Sequence, residues 1–301
     1  MTKDYDEIFP KEKVGEIRVN ELMKNHTTFK IGGPCDVMIE PENYEQIINA
    51  LRIIKENKLE YYIIGNGSNL LVTDKGLRKV VIKIHKKLSD IRIEGETVIA
   101  QAGALLSTVA KKSFKHNLTG LEQVSGIPGD IGGAITMNAG AYGGEMKDVV
   151  SSVKVITKDL EIKDYSVEEM NLRYRNSRVQ DEGLIVLEVT FKLKKGDPEK
   201  IKEIYDDLTE KRTSKQPLEY ASAGSTFKRP EGYFAGKLID DSGLRGYSYN
   251  DAQVSEKHCG FVINRGNATY KDVMDVIHHV QDTVMKNFGI KLEPEIRIIG
   301  E

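Results

Sequence analysis

The 301-residue sequence has no tryptophan and only two cysteines, Cys35 and Cys259. Cysteines so far apart make neither a CxxC pair nor a disulfide framework, which excludes the small disulfide-stapled classes and points to a reducing compartment. An excess of one charge is also missing: 44 Lys and Arg face 46 Asp and Glu, a formal net charge of -2. Without a basic excess or a long basic block, no dedicated nucleic-acid or membrane-surface binder is expected. No apolar run is long enough to cross a bilayer, and residues 1–13 are charged rather than leader-like. The expectation is a cytoplasmic chain, with no membrane and no nucleic acid among its partners and no partner protein implied. The six histidines have no ligand spacing. His278 and His279 are helix neighbours about 100° apart and HExxH is absent, so no metal is expected.

What the chain does have is 39% hydrophobic residues, enough for a real core, and 27 glycines. Its length suits about two domains. Strands are expected at 35–40, 61–64, 70–72 and 80–84, with a hairpin of 91–93 and 98–100 around Gly95. Further strands are expected at 149–157, 161–165, 184–194, 260–264 and 295–299. Ile47, Ile48, Leu51 and Ile54 lie at helical spacing within 42–57, and Val273, Val276, Ile277, Val280 and Val284 within 269–287. Other helices are expected at 105–115, at 234–241, and from Asp197-Pro198 to about Arg212. Ser166 and Glu169 make a capping-box pattern for one short helical turn. The stretch 121–146 is read as a long glycine-rich loop with no regular element, of the kind that usually carries function. The pattern is α+β, with the main boundary in the polar segment 211–224.

Two glycine segments carry the first functional signal. Gly65-Asn66-Gly67-Ser68-Asn69 follows a strand but fits neither a Rossmann fingerprint nor a Walker A loop, because an extended Leu70-Leu71-Val72 comes next. A turn of small residues with backbone N–H groups suits a pyrophosphate, although an ordinary tight turn explains it equally. The second segment joins Ser125-Gly126-Ile127-Pro128-Gly129 to Gly140-Ala141-Tyr142-Gly143. Together the two favour a dinucleotide cofactor over a crossover loop that merely packs. Three polar clusters, 174–178, 223–228 and the alternating Glu293, Glu295 and Arg297, read individually as solvated turns or a surface ion pair.

Taken in order, these segments resemble the UDP-N-acetylenolpyruvoylglucosamine reductase family, flavoenzymes of the second committed step of bacterial peptidoglycan synthesis. The resemblance runs from about Asn25 to the C-terminus. It rests on 28–33, 65–71, 120–143, Tyr174-Arg175-Asn176-Ser177, 223–230, Ala235-Gly236-Lys237-Leu238-Ile239-Asp240 and Leu292-Glu293-Pro294-Glu295. It implies a two-lobed FAD-binding domain of the vanillyl-alcohol-oxidase type, plus a smaller α+β substrate domain. The expected division is 1–213, with lobes at roughly 20–85 and 86–200, and 214–301, whose last strand returns towards the flavin site. FAD is expected to meet Ile64, Gly65, Asn66, Gly67, Ser68, Asn69, Leu70, the two later glycine segments and Arg297. With no histidine in the glycine loops, it is expected to dissociate.

The resemblance further implies that NADPH reduces FAD and that enolpyruvyl-UDP-GlcNAc is reduced to UDP-N-acetylmuramate. Ser225 matches the family's proton donor, Arg175 its carboxylate-facing arginine and Glu295 its C-terminal glutamate. Lys215 matches a lysine on the substrate diphosphate, with slightly shorter spacing to Ser225. Arg229 stands where some members carry Asn, as a further phosphate contact or a solvated side chain, and Tyr174 is expected at the substrate. The insertion of longer members is absent, which marks the shorter subtype and leaves Tyr247 or Tyr249 to cap the substrate or simply to sit on the surface. The alternatives are another FAD oxidase or dehydrogenase of the same fold, and a nucleotide-binding module without redox chemistry.

Overall fold

Asn43 begins the first long helix by accepting a hydrogen bond from Gln46 N, and Tyr44–Glu56 then buries Ile47, Ala50, Leu51 and Ile54. Each such aliphatic side chain contributes about 1.5–3 kcal/mol of apolar burial. The computed structural model describes residues 4–301. The chain forms two units: Met1–Val19, Val37–Asn66 and Lys79–Lys211 in the first, and Asn20–Asp36, Gly67–Arg78 and Arg212–Glu301 in the second.

The first unit is built on two sheets. In one, Tyr61–Ile64 runs parallel to Leu77–Lys83, and Glu16–Val19 pairs antiparallel with Cys35–Glu40. The other is a five-stranded antiparallel sheet in the order Ile162–Ser166, Val150–Ile156, Ile185–Lys192, Thr97–Gln101, Ile91–Glu94. Leu106–Lys115 is the expected helix.

Segment 121–146 departs from its reading as irregular. Ile131–Thr136 is a helix with Ile131, Ala134 and Ile135 buried, and Gly140–Ala141 pairs with Gly144–Glu145. The apolar spacing i, i+3, i+4 was present but too short to outweigh two helix-weakening glycines. Gly132 is needed for close approach: its N–H bonds Ala102 O at 2.8 Å, and a Cβ there would lie 3.2 Å from the Ala102 side chain. Ser166 and Glu169 exchange the capping-box bonds at 2.8 and 3.3 Å, but the residues form a turn rather than a helix. The helix from Pro198 continues to Lys215, past Arg212, because no breaker intervenes before Pro217.

In the second unit, Ser248–Tyr249, Ala252–Val254 and Val262–Asn264 form an antiparallel sheet. Thr269 and Asp272 make a full capping box for Tyr270–Phe288, and Gly289 stops it at φ +69°. Val273, Val276, Ile277, Val280 and Val284 are all buried in this unit's core. Segments 20–36 and 67–78, on the first-lobe side of the expected division, pack here instead. Phe29, Ile31 and Leu71 enter the core, Thr28 Oγ1 donates to Ser222 O at 2.7 Å, and Asn264 Nδ2 donates to Phe29 O at 3.1 Å. The last strand is shorter than expected, Arg297–Ile299, and runs parallel to Leu70–Val72.

Candidate active site

The turn at 65–69 has its first two residues in the first unit and its last three in the second. In the first unit, Ile64 ends its strand buried, and Asn66 Nδ2 donates to Pro128 O at 2.6 Å. A Cβ on Gly65 would stand 2.8 Å from Asp130 Oδ2, so the turn presses backbone-first against the end of the second glycine segment. Ser125 is buried with its hydroxyl donating to Glu122 O, Ile127 N bonds Val124 O, and Leu106 N bonds Gly129 O. The structure thus brings the two early glycine segments together.

In the second unit, Gly67 has φ +65°, and a Cβ there would lie 2.1 Å from His26 O. Its own carbonyl accepts from Thr28 N at 3.3 Å. Asn69 Nδ2 donates to Glu295 O at 3.2 Å and Asn69 O accepts from Arg297 N at 2.8 Å, while Leu70 pairs with Arg297. Ser68 lies between Gly67 and Asn69 in this turn.

Arg175 and Tyr174 form the tip of a four-residue turn closed by backbone bonds between Arg173 and Asn176 at 2.9 and 3.1 Å. Arg175 adopts φ +56°, a left-handed conformation that a non-glycine residue holds only when its surroundings enforce it. Gln180 supplies that enforcement: its Nε2 donates to Arg175 O at 3.2 Å and to Thr136 O at 2.7 Å. The guanidinium reaches Gly140 O at 3.5 Å and lies 5.2 Å from the Tyr174 ring centre. The hairpin it touches has Tyr142 at φ +51°, half-exposed, and Gly143 facing open space. Lys147 holds the adjacent Glu145 carboxyl below its usual range, aided by Asn138 and Arg175.

Ser225 and Glu295 stand on adjoining segments of the second unit. The extended segment after Gly224, which has φ +78°, bonds on both sides: Thr226 N to Gly260 O and Glu295 N to Thr226 O, each at 2.8 Å. Phe227 bridges Pro294, and Thr226 is buried while Ser225 is exposed. Lys215 stands in the last turn of its helix. Arg229 is exposed, with its guanidinium 4.0 Å over the Phe234 ring and its Nε donating to Tyr233 O at 3.3 Å. Lys228 and Glu293 form a surface pair at 3.2 Å. Tyr247 is stacked on His279 at 4.1 Å and packs against the core, whereas Tyr249 is exposed.

Of the expected catalytic residues, Ser225 and Glu295 lie on adjoining segments of the second unit and Arg175 belongs to the first. Residues 216–299 match the model of the C-terminal domain of UDP-N-acetylenolpyruvoylglucosamine reductase, and residues 35–166 match an FAD-binding domain model. The protein of that reductase name from Alkaliphilus oremlandii is 55% identical over 285 residues, 95% of this chain and 94% of its own. This chain belongs to the UDP-N-acetylenolpyruvoylglucosamine reductase family. The Clostridium novyi member is 52% identical across 100% of this chain and 97% of its own. The crystal structure of the Thermus caldophilus reductase matches with a TM-score of 0.83 at 34% identity, covering 95% of this chain and all of that one.

As a reductase of this family, the chain is an FAD-dependent oxidoreductase of peptidoglycan synthesis, of the shorter subtype. Its fold is α+β, with the FAD-binding domain of the vanillyl-alcohol-oxidase type. At Gly65 and Gly67 a side chain would meet the protein's own atoms, whereas a Cβ at Gly143 would face open space. Among the described residues no cluster could hold a metal, and no helix is long and apolar enough to cross a membrane. Burial pushes the Cys35 thiol up to about 12 and that of Cys259 to about 11, so both are poor nucleophiles. Sequence reasoning did not single out Gln180, which bonds Arg175 O, or Asp130, which stands against the Gly65 turn. Only Asp130 carried a signal, as a lone charge inside a run of small residues.

Proposed function

We propose that the chain reduces enolpyruvyl-UDP-GlcNAc to UDP-N-acetylmuramate, with NADPH as hydride donor and dissociable FAD as carrier. FAD when bound supplies the hydride chemistry, taking a hydride from NADPH and delivering it to C3 of the enolpyruvyl group. The observation that carries the reading is the backbone bond joining Glu295 to Thr226, which sets Ser225 and Glu295 on adjoining segments of one unit.

In this reading Ser225 gives its hydroxyl proton to C2. A hydroxyl is a weak acid, but the carbon it meets is enolate-like, so position matters as much as acidity. Arg175 faces the substrate carboxylate and stabilises the charge that C3 attack drives onto it. Gly65 to Asn69, 125–129, 140–143 and Arg297 hold FAD, while Lys215, Arg229 and Tyr174 hold substrate. This role belongs to the cytoplasm and serves cell-wall growth, and through it cell shape and division.

Two substitutions refine the assignment. Lys215→Ala is expected to raise the KM for the UDP-sugar by roughly tenfold, the loss of one charge-assisted contact, with a smaller change in kcat. A loss confined to kcat would remove Lys215 from the diphosphate. Glu295→Gln is expected to keep near-normal flavin reoxidation where Glu295→Ala loses it, if Glu295 acts as a neutral donor; equal losses would mean that it acts through charge.

The reading itself is tested by anaerobic visible spectroscopy. Flavin absorbance should bleach with NADPH and return with enolpyruvyl-UDP-GlcNAc. Return with oxygen alone would move the function to an oxidase of the same fold, and a colourless protein that takes up no FAD would sink it.

A further inference from the structure

Asp130 occupies the N-cap position of the helix Ile131–Thr136, yet its side chain makes no capping bond there. It is 2% exposed, with Oδ2 at 2.8 Å from His85 Nδ1 and Oδ1 buried without a partner. A buried carboxyl left half-satisfied normally costs stability, so its retention calls for a reason. Burial pushes this carboxyl above its usual range, while His85, Lys83 and the backbone N–H of Asn66 act in the opposite direction.

What the carboxyl touches is the turn at 65–66. A Cβ on Gly65 would lie 2.8 Å from Oδ2, 3.3 Å from the Asp130 Cβ and 3.4 Å from its Cγ. One residue on, Asn66 Nδ2 is tied to Pro128 O at 2.6 Å. Asp130 also forms a β-bridge with Leu105, and its neighbours Ile131 and Gly132 bond Ala104 O and Ala102 O at 2.9 and 2.8 Å. It is therefore anchored on one side to rigid backbone and on the other pressed against the 65–66 turn, with His85 fixing its orientation.

We propose that Asp130, oriented by His85, is a positioning residue for the cofactor, holding the 65–66 turn in register with the 125–129 segment so that both present backbone to FAD. The inference rests on the reading that these two segments carry FAD. It adds a part-buried pair, away from the expected catalytic residues, that sets how tightly the cofactor is held.

The test titrates FAD-free protein with FAD by flavin fluorescence and follows melting of the same preparation. Asp130→Ala is expected to weaken FAD binding on the order of 10–100-fold, the usual loss when a contact supporting a ligand site is removed, with melting of the FAD-free protein little changed. Asp130→Asn, which keeps an acceptor for Asn66 and offers an amide to His85, should restore affinity. Should Asp130→Ala fail to fold, His85→Ala carries the same expectation. Wild-type FAD affinity in the folded variant overturns the proposal, as does a loss in Asp130→Asn equal to that in Asp130→Ala. Gly65→Val separates the two levels: if it too binds FAD normally, the reading of the loop fails, whereas a loss there but not in Asp130→Ala removes the positioning role alone.

Discussion

Ser225→Ala should leave flavin bleaching by NADPH intact and slow reoxidation by enolpyruvyl-UDP-GlcNAc by about 10²–10⁴-fold, the range for removing a positioned general acid. The effect should fall on the second half-reaction alone, because the first needs no proton at carbon. Ser225 is exposed, and the bonds that fix its segment are made by the Thr226 backbone and hydroxyl, with Val262 N donating to Thr226 Oγ1 at 2.9 Å. Melting should therefore be unchanged, so that lost activity cannot be traced to lost fold. Stopped-flow absorbance of the prereduced variant reads this directly. Reoxidation at the unmodified rate would remove Ser225 from proton delivery.

Gly67→Ala should be among the more damaging small changes in the chain. Two costs coincide: φ +65° strains any residue with a Cβ, and that Cβ would stand 2.1 Å from His26 O and 3.0 Å from Thr27 Cα. Strain alone costs about 1–3 kcal/mol, and the clash with backbone adds to it because neither atom ends a flexible side chain. The expected result is a protein with a lowered melting temperature that emerges from gel filtration without its flavin. Gly95→Ala is the matched comparison, with φ +63° but nothing within 4 Å of the new Cβ, in a hairpin turn outside the glycine segments. It should show strain alone and keep most of its FAD. Equal behaviour of the two would mean that the contact with His26 is relieved by local movement.

Periodicity made the regular elements readable. The stripe of five aliphatic residues in 269–287 and the strands at 35–40, 61–64 and 70–72 all stand where their patterns put them. Segment 121–146 was harder, because its helix is six residues long and half glycine or alanine, so local propensity was outvoted by Ile131 and Ile135 entering the core. Ser225 and Glu295 were found through a resemblance of motifs; their adjacency depends on a backbone bond between segments 69 residues apart in numbering, Thr226 to Glu295, which no local pattern encodes. Gln180 was invisible for another reason. Its role lies in which carbonyls its amide reaches, and a glutamine on a short helix looks the same whatever it reaches.

The parallel pairing of Leu70–Val72 with Arg297–Ile299 has a consequence for synthesis on the ribosome. The strand at Leu70 emerges early, but its partner at Arg297 lies 227 positions later, and both belong to the second unit. Phe29, Ile31 and Leu71 must then wait, without the core they bury in, until residues 223–296 that complete it have left the exit tunnel. Contacts so distant in sequence are slow to form and expose apolar surface meanwhile. A nascent chain arrested before Arg297 should hold the second unit open and protease-sensitive, and a chain extended past Ile299 should close it.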